Sequence, residues 1–210
     1  MRFLTVAVAL LAIHVSTAFT AHANPTLEVV ASGVYELEKT HAFLSWTVRH
    51  GGISGYTVDF TDFDATLVFD AATPAKSQLA VSINPAALNT NYPDPEKKIA
   101  WENELAMDAK FLNASVFPQI TFVSTTIEQT STFAGNVTGA LTFLGVTQPV
   151  TLAVTYGGVA NPPWFGQRDV IGFTAEARFN RSDFGMTSMM GNISDEVVIE
   201  FSGEFLQAEN

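Results

Sequence analysis

The side chains best able to do chemistry in this chain are few, and they cluster in two places. His41 and His50 bracket the string HAFLSWTVRH, and Arg181 and Asp183 sit inside FNRSDFGM, which runs from Phe179 to Met186. A protein metal site draws on three or four convergent ligands, and no group of ligand spacing accompanies either histidine, so no metal is expected. Within an unbroken strand His50 shares a face with Leu44, Trp46 and Val48, whereas His41 lies on the other face with Phe43, Ser45 and Arg49. Two readings of His50 stand: a core imidazole bonded to a backbone carbonyl, or a polar anchor at the end of an apolar row. Arg181 likewise reads either as a fork for a pyrophosphate or quinone oxygen or as a clamp on Asp183 and the loop backbone. Met186, Met189 and Met190 offer adaptable apolar contacts, at an entrance or beneath a loop. No nucleophile elbow or metalloprotease string is present, and no base beyond His50 can be named. No catalytic residue is therefore assigned, and an enzyme is not expected.

The elements that must position these groups are strands. Phe63, Ala65, Leu67 and Phe69 alternate with Asp62, Asp64, Thr66 and Val68, the mark of a half-buried strand. Leu79, Val81 and Ile83 repeat the pattern, as do Ile120 and Phe122, Leu141 and Phe143, and Val150 to Tyr156. Ile171 to Phe179 and Val197 to Phe205 complete it, with Val34–Leu37 and Leu44–Val48 near the start. One stretch is helical: Lys98 to Ala109 lacks alternation, Trp101 and Leu105 share a face, and Asp94-Pro95 is a start signal. Gly157 to Asp169 reads as a loop. Eight or more antiparallel strands with one apolar face must close or stack, and periodicity leaves barrel and sandwich both open. A lipid-facing outer-membrane barrel is disfavoured, because one face of each strand carries Asp, Glu, Thr or Ser.

Composition narrows the classes further. A formal charge of −11 disfavours nucleic acid and anionic membrane surfaces as partners, and the absence of cysteine removes disulfides and thiolate chemistry. Met1-Arg2, the apolar run Phe3–Val15 and Ala21-His22-Ala23 read as a signal peptide over residues 1–23, leaving one domain at 24–210. The run is too short to span a bilayer, which takes ~20 residues. A periplasmic or secreted location is expected.

Four strings in order, HAFLSWTVRH, FPQITFVS (Phe117–Ser124), LTFLGVTQPV (Leu141–Val150) and FNRSDFGM, resemble the YceI-like family of secreted, polyisoprenoid-binding bacterial proteins. The resemblance runs from about Gly33 to Phe205. It implies an all-β fold, a single antiparallel eight-stranded lipocalin-like barrel with one short helix, that encloses an isoprenoid lipid or quinone for storage or transport. The implied apolar lumen residues are Leu44, Trp46, Val48, Ile120, Phe122, Leu141, Phe143, Phe173 and Phe179, with His50 and Arg181 toward a polar head. No cofactor beyond that lipid is implied, and a membrane or redox partner protein would receive or deliver it. Where many members carry an Asp-x-His-Leu-Arg-Ser-like segment, this chain reads WENELAMDAKFLNAS from Trp101 to Ser115. Acidic Glu102, Glu104 and Asp108 there favour a neutral head such as a quinone over pyrophosphate. A filled barrel that acts only through its surface, and a small lumen-based enzyme, are the alternatives.

Overall fold

The computed structural model describes residues 30–209. The expected leader and its cleavage point after Ala23 lie outside the described residues. In chain order the strands are β1 (Gly33–His50), β2 (Ser54–Phe60), β3 (Phe63–Phe69), β4 (Gln78–Ile83) and β5 (Leu88–Asn89). The helix α1 (Pro95–Met107) follows, and then β6 (Ile120–Ser131), β7 (Ala134–Phe143), β8 (Val146–Ala160), β9 (Val170–Asn180) and β10 (Ile193–Gln207). Every strand pairing is antiparallel. The order β10-β9-β8-β7-β6-β4-β3-β1 closes on itself through β1–β10, giving an eight-stranded barrel with β2 and β5 added at one edge.

The first surprise of β1 is its length. Residues read as two strands are one of 18 residues, interrupted where Glu38 faces Glu204 but Ala42 faces Gly203. Three residues, Lys39 to His41, are thus extra. An odd insertion flips the alternation, so Tyr35 and Leu37 point inward before it and Leu44 and Val48 after it. Opposite this bulge, Thr61-Asp62 separates β2 from β3, and the two halves pair with the two halves of β1. Gly203 permits the close approach: a Cβ there would meet Ala42 Cα at 3.1 Å and Phe201 Cζ at 2.7 Å.

The bulge is held by its own polar groups. Glu38 accepts from Thr40 Oγ1, and His41 Nδ1 lies 2.5 Å from Glu38 Oε2 and 3.9 Å from Glu204 Oε2. The bond to Glu38 raises the pKa of the exposed His41 imidazole. Partial burial pushes the Glu38 carboxyl up, but bonds from Thr40 and His41 outweigh it and hold the group below its usual value. The imidazolium therefore supports the bulge below the ordinary imidazole pKa of ~6.5, and that support is lost as pH rises through the raised folded value. Support from Glu38 is present above the ordinary carboxylate value of ~4.3 and is lost on acidification. An NMR titration of the His41 ring is expected to show a midpoint above ~6.5 that falls back in Glu38→Gln; an unchanged midpoint in the variant would remove Glu38 as its cause.

Helix α1 begins as its sequence dictates. Asp94 caps it by accepting from the backbone N–H groups of Glu96 and Lys97, with Pro95 in the first turn. It ends at Met107, two residues short of the expected Ala109. Leu105 and Ala106 are buried, and Leu112 and Ala114 fold back to donate to their carbonyls. Glu102 is occupied locally: it accepts from the Thr90 backbone N–H at 2.7 Å and pairs with Lys98 at 2.6 Å. The helix and the segment after it lie at the barrel end that also holds the β7–β8 turn. That turn, Leu144-Gly145, has positive φ at both residues (50° and 74°), the type I′ pattern that matches strand twist.

Candidate functional site

The inward rows of the closed sheet leave a cavity of about 300 Å³, at the lower end of the range for ligand pockets. All eight barrel strands contribute to its wall. The nine residues named from the sequence, Leu44, Trp46, Val48, Ile120, Phe122, Leu141, Phe143, Phe173 and Phe179, are all on that wall. Gly139 shows how tightly the wall is built. A Cβ there would collide with the Phe122 ring and come within 2.6 Å of the Val123 carbonyl oxygen.

Aromatic rings run up one side without a break. Phe133 stacks on Tyr156 (6.4 Å between centroids), Tyr156 meets Phe173 (5.6 Å), and Phe173 meets Phe205 (6.0 Å). Phe205 then touches Phe201 (6.1 Å), and Phe201 touches Phe63 (6.4 Å). Such pairs add about 0.5–1.5 kcal/mol each beyond their burial, and they leave a rigid apolar surface.

The barrel has two unlike ends. The upper end, with α1 and the β9–β10 loop, is largely covered: Leu105, Leu112, Phe184 and Arg181 are buried there, and Phe111 and Met186 are half-buried. At the lower end the wall is looser. β4 and β6 pair only from Ala80↔Val123 to Ile83↔Ile120, and below this Leu79 N–H donates instead to the Ser124 hydroxyl. The cavity reaches the surface beside Pro74, Ser77 and the β6–β7 hairpin, where Glu128, Gln129, Ser131 and Thr132 are exposed.

The structure places His50 off the cavity wall, and Arg181 on it with its donors engaged. His50 is exposed and off the cavity wall, because β1 pairs irregularly beyond Val48 and then turns at Gly51-Gly52. Neither the core reading nor the anchor reading describes it. Arg181 borders the cavity but is only 3 % exposed, and each of its donors is engaged. Nε donates to Ser194 O (2.8 Å), Nη1 to Met186 O (3.2 Å) and Ser188 O (2.7 Å), and Nη2 to Ile193 O (3.3 Å) and Met190 Sδ (3.2 Å). Burial lowers its pKa, partly offset by Asp195. Loop backbone is its partner; Asp195, not Asp183, fixes the adjoining turn by accepting from Ser182.

Sequence spacing missed two groups. Glu38, His41 and Glu204 bring ligand-type atoms within 4.8 Å of one another on the outer surface, joined by the bulge and by β10. At the lower end Asp169 is buried and accepts from Ala31 N–H (2.7 Å), Tyr35 Oη (3.2 Å) and Asn161 Nδ2 (2.6 Å). Beside this cluster the Tyr156 hydroxyl, like Trp46 Nε1, is buried with no hydrogen-bond partner among the described residues. Ala31 and Tyr35 lie more than a hundred residues from Asp169 in sequence, and of its partners only Asn161 is close enough to give a local signal.

Comparison with known proteins agrees with this architecture. The YceI-like domain matches residues 35–205. Protein YceI of Salmonella arizonae is 36% identical over 179 residues, covering 85% of this chain and 88% of the relative. Burkholderia cenocepacia BcnA superposes with a TM-score of 0.67 at 23% identity, over 82% of this chain and 99% of its own. A polyisoprenoid binding domain from Saccharophagus degradans, implicated in plant cell wall breakdown, gives a TM-score of 0.58 at 12% identity. That match covers 85% of this chain and all of the domain, and at such identities both structures speak to the fold.

Proposed function

This chain belongs to the YceI-like family, and from that premise we propose that it is a periplasmic or secreted carrier that encloses a long apolar isoprenoid lipid, a quinone or polyprenyl chain, for storage or transport. The observation that carries this reading is the apolar cavity of about 300 Å³ inside a closed barrel. Space of that kind favours a carrier over a barrel filled by its own side chains. The polyisoprenoid-binding role of the Saccharophagus degradans domain supports the ligand class. A non-catalytic role is supported by the exposure of His41 and His50 away from a wall that is almost wholly apolar. Burial of a tail is worth ~0.8 kcal/mol per CH₂, so the tail supplies most of the affinity and the head sets orientation.

Native mass spectrometry of the purified full chain, with organic extraction of the same sample, tests this directly. A stoichiometric mass increment that extracts as a prenyl lipid is expected. Protein that carries no lipid, and takes up none when offered prenyl quinone, would leave the surface-acting barrel in its place.

A further inference from the structure

We propose that the polar end of the ligand sits at the lower rim, beside Tyr156 and the β6–β7 hairpin, and that this site selects a neutral head bearing a hydrogen-bond acceptor. The inference rests on the carrier reading above. An amphiphile in an apolar tunnel places its polar end where polar partners exist, because an unpaired buried polar group is costly. Among the described residues the polar groups on the wall toward the upper end are Arg181, whose donors are all spent on loop carbonyls and Met190, and Trp46, whose indole N–H is buried and unpaired. The other polar wall residues are Ser77, Glu128, Gln129, Ser131, Thr132 and Tyr156, and they belong to the lower end.

Tyr156 is the strongest of these. Its ring lines the cavity, it is more than nine-tenths buried, and its hydroxyl has no partner among the described residues. Burial and the nearby Asp169 charge raise its pKa, so the phenol stays a neutral donor. A donor of this kind calls for an acceptor oxygen such as a carbonyl. Phe133, stacked on the same ring, adds a flat apolar surface at the rim.

The charges nearby argue against an anionic head. Glu128 stands at the rim, and the Asp169 carboxylate lies behind the tyrosines. Arg168 is turned to the Phe165 and Gln207 carbonyls and toward Glu209, and Lys76 is exposed and off the cavity wall. A pyrophosphate at that end would meet carboxylates, with no cation among the described wall residues beside it.

The test uses a saturated chain ending in a nitroxide, a neutral head with an acceptor oxygen, added to isotope-labelled full-length protein. Paramagnetic broadening is expected to be greatest at the amides of Ser131 to Ala134. Affinity for this probe, divided by that for the same chain without a head, is expected to fall three- to tenfold in Tyr156→Phe, the scale of one hydrogen bond. Broadening centred on Gly51 to Ile53, or a ratio unchanged in Tyr156→Phe, would overturn the assignment and leave the carrier reading standing. Failure of both headed and headless chains to bind would overturn the two together.

Discussion

Folded Phe173→Asp protein is expected to lose its lipid by about three orders of magnitude in affinity. Phe173 lies midway along the aromatic column, in contact with Tyr156 and Phe205. Removing the ring forfeits roughly 1.5–3 kcal/mol of apolar contact available to a tail. The carboxylate adds a second loss, since covering it with hydrocarbon strips its water at a cost of several kcal/mol unless it takes up a proton. The smaller sum, about 4 kcal/mol, is already close to a thousandfold. Phe173→Leu keeps the apolar wall and is expected to cost tenfold or less. Extraction and native mass spectrometry of the three proteins give the comparison, with circular dichroism as the check on folding. Stoichiometric lipid on a folded Phe173→Asp variant would show that the tail does not run past β9.

Much of this wall was legible in the sequence because alternation is a local signal. All nine lumen residues came from rows of period two, and the β7–β8 turn came from its glycine. What escaped were features made by contacts distant in sequence or by polar detail. The bulge at Lys39–His41 flips the alternation of β1, yet nothing apolar marks it; Thr40 and His41 bonded to Glu38 hold it in place. Gly157 and Gly158 read as the start of a loop, but β8 passes through a register shift there and continues to Ala160. Both sequence readings of His50, core imidazole or polar anchor, extend an inward row one position past the place where the ladder with β10 becomes irregular. The lower-rim group could not be seen at all, since Tyr35 and Asp169 are 134 residues apart.

Arg181→Leu is expected to destabilise the protein by about 3 kcal/mol while each remaining folded molecule keeps its lipid. The guanidinium gathers the carbonyls of Met186, Ser188, Ile193 and Ser194 around one buried group, and so ties the β9–β10 loop across the upper end. Each buried acceptor left unpaired costs roughly 1–3 kcal/mol, which alone would overshoot. Two effects reduce the total: the loop is close enough to solvent for some carbonyls to find water, and removing a desolvated charge returns part of its burial cost. For a chain of this size 3 kcal/mol corresponds to a fall in Tm of about 6–12 °C. Arg181→Lys is expected to recover little, because an ammonium has three donors and lacks the planar fork that reaches several carbonyls at once. A head-group role for Arg181 predicts the opposite pattern, an unchanged Tm with weakened or altered lipid selectivity. Thermal melts read beside lipid content per folded molecule separate the two, and a stable Arg181→Leu protein emptied of lipid would return this arginine to the ligand.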